Sequence, residues 1–94
     1  MKVVGTAVID KAIKKHGDLA GPLGAWLKIA TNEVWTGLND IRKTWPSTDA
    51  VDGKLVFNIK GNNYRLIATI NFKSQALFIE QVLTHAEYDK GGWK

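Results

Sequence analysis

The hydrophobic period of this chain changes once, near Pro46, and that change restricts the possible folds more than any other feature. Before Pro46, apolar residues recur at offsets of three and four. After it, they alternate. A helical half followed by a strand half predicts an α+β domain, with helices packed on one face of an antiparallel sheet.

The helical half divides at its glycines and prolines. Residues 2–4 read as a short strand. Thr6 suits a helix N-cap, followed by Val8, Ile9, Ala12 and Ile13 on one face, with Lys11, Lys14 and Lys15 elsewhere. Gly17 ends that helix. Pro22 fits the first turn of a second helix, where no backbone N–H is needed. Leu23, Trp26, Leu27, Ala30 and Val34 then mark its buried stripe. After a break at Gly37, Asn39 is placed to cap a short helix with Leu38, Ile41 and Trp45 on one side. Pro46 and Ser47-Thr48-Asp49 stop it. Trp26, Trp35 and Trp45 are expected to pack between helices and sheet, whereas Trp93, on a Gly-rich tail, is expected to be exposed.

The strand half reads as a three-stranded meander. Leu55, Phe57 and Ile59 alternate with Val56, Asn58 and Lys60. Gly61-Asn62-Asn63 signals a turn, and Tyr64, Leu66, Ala68, Ile70 and Phe72 alternate with Arg65, Ile67, Thr69 and Asn71. Lys73-Ser74 is a second turn, after which Leu77, Ile79 and Leu83 continue the pattern. A two-residue turn at Gly61-Asn62, the commonest hairpin loop, would set Ile59 opposite Tyr64 and Asn58 opposite Arg65. Slipping this register by one residue would mix the apolar and polar sets. The face away from the helices then collects Asn58, Lys60, Arg65, Thr69 and Asn71, together with Val56, Ile67, Phe78 and Val82. Cations beside flat and apolar groups suit RNA, because cations hold phosphate and flat side chains stack on bases.

Composition narrows the chemistry. Ninety-four residues make a single domain, 1–94, and the net charge of +4 favours a polyanionic partner. There is no cysteine, so disulfides, thiolate metal sites and cysteine nucleophiles are excluded. His16 and His85 lack ligand-like spacing, so no metal is expected. Neither a Walker ending nor a nucleophile elbow is present. No apolar run approaches the roughly 18 residues of a membrane span. Asp10, Lys11, Lys14 and Lys15 also interrupt any signal-peptide core. A soluble, cytoplasmic protein without a membrane partner is expected.

Two stretches are specific. Val56-Phe57-Asn58-Ile59-Lys60-Gly61-Asn62-Asn63-Tyr64-Arg65-Leu66 resembles the central hairpin of HigB-type toxins, a branch of the RelE/ParE superfamily. Thr84-His85-Ala86-Glu87-Tyr88-Asp89-Lys90 resembles that branch's C-terminal signature, and Trp45-Pro46-Ser47 also fits its pattern. The resemblance runs from about Leu23 to Lys90. It implies a RelE-like fold and an mRNA interferase, an endoribonuclease acting on the translating ribosome. It further implies a helix-turn-helix antitoxin of the HigA type, and contact with operator DNA only through the toxin–antitoxin complex.

Cleavage of RNA needs a base for the 2′-hydroxyl, an acid for the departing 5′-oxygen and positive charge at the phosphorus. The resemblance places Arg65 against the phosphate, where a planar guanidinium suits bidentate contact. His85 is the leading proton-transfer group. Tyr88, three residues later, shares its face if the segment is helical. Lys60 would hold phosphate or stabilise developing charge. Asn58, Asn71 and Lys90 complete the expected RNA-binding set, and Glu87 and Asp89 could orient cations or act in general acid/base chemistry. His16 fits a capping role. No cofactor is expected. Two other readings compete: a ParE-like toxin that poisons gyrase without catalysis, and an RNA- or protein-binding module that cuts nothing.

Overall fold

The computed structural model describes residues 1–94. Strand β1 (Lys2–Val4) leads into helix α1 (Thr6–Lys15), a short 3-10 turn (Gly17–Leu19), α2 (Ala20–Asn32) and α3 (Leu38–Thr44). Four strands follow: β2 (Asp49–Val51), β3 (Lys54–Ile59), β4 (Tyr64–Asn71) and β5 (Ala76–Thr84). Helix α4 (His85–Asp89) comes last. The sheet order is β1-β5-β4-β3-β2, antiparallel except where β1 lies parallel to β5. The α+β architecture is therefore as expected, with two more strands than the central meander.

The meander's register follows the alternation, with Ile59 opposite Tyr64 and Asn58 opposite Arg65, although residues 60–63, and not two residues, make the turn. Leu55, Phe57, Ile59, Leu66 and Ala68 turn toward the helices and join Ile9, Leu19, Leu23, Trp26, Ala30, Trp35 and Ile41 in one core. Phe57 sits at its centre, edge-on to Trp26 at 5.3 Å and stacked on Trp35 at 6.2 Å. Such pairs each add about 0.5–1.5 kcal/mol beyond their burial.

Several expectations change. Gly5, not Thr6, is the N-cap of α1. At Gly5 a Cβ would come within 2.8 Å of the Ile79 carbonyl oxygen, and φ is +94°, so only glycine lets β1 turn into α1 against β5. Val34 lies past the end of α2 and is exposed, while Trp35 takes the buried place. Strand β2 was not expected from Ser47-Thr48-Asp49, but Asp52-Gly53, both at positive φ, is the two-residue hairpin signal that announces it.

The last strand departs most. A bulge at Glu80 shifts the pairing from Ala68–Ile79 to Ile67–Gln81. One extra residue inverts the alternation beyond it. Val82 therefore packs into the helix-side core and Leu83 against the other face, the reverse of what an unbroken strand predicts. That other face is not left open. Trp93 is only 6% exposed, because it folds back with Tyr88 over Val56 and Ile67. Two fully apolar side chains in the sheet's middle need a cover, and the tail supplies it.

Candidate active site

Helix α4 has only five residues, too few to persist alone. Thr84-His85-Ala86-Glu87 is a capping box that starts it: Glu87 N–H donates to Thr84 Oγ1 at 3.1 Å, and Thr84 N–H to Glu87 Oε1 at 2.9 Å. The backbone donor at Thr84 holds the Glu87 carboxyl below the usual carboxylate range. Glu87 is thus a structural cap. The backbone N–H of His85 also donates to the Asn63 carbonyl at 2.9 Å, tying the helix to the β3–β4 turn.

These tethers bring three expected site residues together. Arg65 is only 8% exposed, although its register faces away from the helices. Its Nη1 donates to the carbonyls of Asn62 at 2.9 Å and Tyr64 at 3.1 Å. Its Nη2 lies 3.2 Å from His85 Nδ1. The Tyr88 ring covers the guanidinium at 5.3 Å and stacks on Trp93 at 5.0 Å. His85 and Tyr88 thus meet one cation from consecutive turns of α4.

The Arg65 contact settles the histidine's tautomer. A guanidinium only donates, so Nδ1 accepts and the neutral ring carries its proton on Nε2. That nitrogen is 3.2 Å from the Asp89 carboxylate, one helical turn on. The result is a chain of contacts from Asp89 through His85 to Arg65, with His85 and Asp89 over half exposed at its outer end. Asp89 is the group that orients His85; its i,i+4 spacing on a capped helix is the signal that identifies it.

The remaining expected residues are not all drawn into this cluster. Lys60 and Gly61 have φ of 52° and 65°, which breaks the alternation at the turn. The Lys60 ammonium therefore does not share Arg65's face. It donates to Asp18 Oδ2 at 2.6 Å, and the Tyr64 hydroxyl donates to the same carboxylate at 3.3–3.4 Å. The Lys60 hydrogen bond pulls the Asp18 pKa down, and Asp18 in turn pushes Lys60 up. Burial and then the Asp18 charge raise the Tyr64 phenol. His16 packs its ring 5.2 Å from Tyr64 at the end of α1. This clamp joins residues 42 apart in sequence, and no local pattern announced it.

Asn58 stays near the cluster, with Nδ2 donating to Asn62 Oδ1 at 3.2 Å. Lys90 caps the C-terminus of α4 and is exposed. Asn71 does not belong. It lies six residues along β4 from Arg65, about 20 Å at the usual rise, and accepts from the Ser74 N–H.

A sequence profile of the HigB toxin family, described as the RelE-like toxic component of a toxin–antitoxin system, matches residues 19–91. The chain is 27% identical over 93 residues to the mRNA interferase HigB of Escherichia coli O6:H1, covering 96% of this chain and 90% of that one. It is 40% identical over 52 residues to the mRNA interferase toxin HigB of Escherichia coli K12, covering 52% of this chain and 50% of that one. The same identity and coverage hold for the mRNA interferase HigB of Shigella flexneri.

Proposed function

The chain belongs to the HigB family of RelE-like toxins, and from that premise we propose that it is an endoribonuclease that cleaves messenger RNA. The convergence of Arg65, His85 and Tyr88 carries this reading. The relatives that match nearly the whole chain, or about half of it at higher identity, are named mRNA interferases.

The proposed chemistry uses the nucleophile that RNA brings. An incoming phosphate draws the Arg65 Nη2 donor to itself and frees His85 Nδ1. That nitrogen takes the proton of the 2′-hydroxyl as O2′ bonds to phosphorus. The P–O5′ bond breaks, leaving a 2′,3′-cyclic phosphate. The departing 5′-oxygen takes its proton from Tyr88, the second group at the cluster with an exchangeable proton. Arg65, fixed by two backbone carbonyls, neutralises the charge on the phosphorane with little reorganisation. Asp89 keeps His85 in the receptive tautomer. Lys90, exposed at the end of α4, attracts the RNA backbone and takes no part in proton transfer; Lys60 is engaged by Asp18 and stays outside the reaction.

As part of a toxin–antitoxin system the protein has an antitoxin partner. We assign that partner to the HigA-type helix-turn-helix class, through which operator DNA is reached. The translating ribosome presents the substrate, which makes the cytoplasm the site of action. No helix is long and apolar enough to cross a membrane.

End-labelled messenger RNA incubated with the protein, with and without translating ribosomes, tests the reading. Wild type is expected to yield fragments ending in cyclic phosphate, and His85→Ala none. Fragments from His85→Ala at the wild-type rate would overturn the site, and no fragments from wild type under either condition would overturn the activity.

A further inference from the structure

Beside the Arg65 cluster lies an open cleft of about 550 Å³, walled by Trp45, Pro46, Ser47, Asn58, Gly61 and Asn62. We propose that this cleft is a subsite for one nucleobase of the RNA, next to the scissile phosphate and so a determinant of where the chain cuts. The inference rests on the nuclease reading and adds a binding role for the Trp45-Pro46-Ser47 segment.

Three observations support it. First, the cleft borders the cluster: Asn58, in its wall, is the cross-strand partner of Arg65, and the Asn62 carbonyl accepts from Arg65 Nη1. A strand whose phosphate met Arg65 would lay a neighbouring nucleotide across this mouth. Second, the polar wall is underused. The single bond between the Asn58 and Asn62 amides engages one N–H of Asn58 and the Oδ1 of Asn62. It leaves Asn58 Oδ1, a second Asn58 N–H and the Asn62 amino group to read a donor–acceptor edge. Third, the one aromatic residue in the wall is held in place. Trp45 is half-buried, and its indole N–H donates to the Asn58 carbonyl at 2.9 Å, so the ring cannot swing to close the cleft. A fixed indole beside free amide groups is the combination that stacks and reads an unpaired base.

Two measurements test this. In an NMR titration of labelled wild type with the four nucleoside monophosphates, the Trp45 indole and the Asn58 and Asn62 side-chain amides are expected to shift with at least one. Inorganic phosphate alone should leave those three signals in place. Ser47→Trp, at an exposed turn position, fills the cleft and should abolish these shifts. Mapping of cleavage ends on a mixed-sequence RNA should then show the base preference beside the cut falling by about tenfold in Ser47→Trp and Asn62→Ala. An unchanged cut-site distribution in both variants, or no response of the cleft amides to any nucleotide, would overturn the proposal. Nucleotide binding in the cleft by a wild type that cuts no RNA would sustain the subsite and overturn the nuclease reading. Cleavage without cleft binding would do the opposite.

Discussion

Replacing Arg65 by lysine separates the two tasks this residue performs. The charge survives, but the planar fork does not. Arg65 makes three hydrogen bonds: two to carbonyls of the turn and one to His85. An ammonium on a flexible stem can replace one of them in that confined space. Losing two bonds from a charged donor at roughly 1.5 kcal/mol each costs about 3 kcal/mol. A chain of 94 residues has a total stability of roughly 5–14 kcal/mol, so Arg65→Lys remains folded at 25 °C. Its thermal midpoint should fall by roughly 12–24 °C. Cleavage should drop much further than unfolding explains, because His85 and Tyr88 lose the group they converge on. Urea denaturation and RNA cleavage at 25 °C, measured on the same preparation, give the two numbers. If Arg65→Lys matched wild type in both, the fork geometry would be irrelevant and the cluster would not be the active site. If it lost stability while keeping full cleavage, Arg65 would be a structural residue only.

Three other outcomes follow from the same geometry. Asp89→Asn keeps the shape beside His85 and removes the charge; we expect cleavage to fall roughly tenfold with stability within about 0.5 kcal/mol of wild type, since the pair is over half exposed, and an unchanged rate would deny Asp89 its orienting role. Trp93→Ala uncovers Val56 and Ile67 and removes the stack on Tyr88; a buried tryptophan costs about 3–5 kcal/mol in a closed core, less here because the tail can lift away, so we expect about 2 kcal/mol by denaturation together with weakened cleavage, and no change in either would show the tail to be dispensable. Glu87 has a folded pKa below its unfolded value, so its contribution is present above about pH 4.3 and disappears as pH falls through the folded value. The stability gap between wild type and Glu87→Ala should therefore close below about pH 4, and a gap constant down to pH 2.5 would contradict the capping account.

Much of this molecule is legible in one dimension. The α+β class, the three central strands, the Asn58–Arg65 register and the convergence of His85 and Tyr88 on one helical face follow from periodicity, turn chemistry and a family resemblance. These signals are local: each depends on residues two to four apart, or on a single short hairpin loop. The capping box and the Asp52-Gly53 turn belong to the same kind, and both stand in the sequence for a reader who looks for them.

What local pattern does not hold is decided by contacts between segments far apart. The bulge at Glu80 shows in the sequence only as the adjacent polar pair Glu80-Gln81, yet it exchanges the faces of Val82 and Leu83. Lys60 looks like a partner of Arg65 until positive φ at the turn sends its ammonium to Asp18. Trp93 reads as a loose end, but an uncovered pair of apolar strand residues gives it a place to bury. Arg65 reads as a surface cation, and becomes a buried one because α4 and the tail close over it. Secondary structure here is set by neighbours along the chain. The site is set by which distant surfaces must exclude water together, and only the folded arrangement determines that.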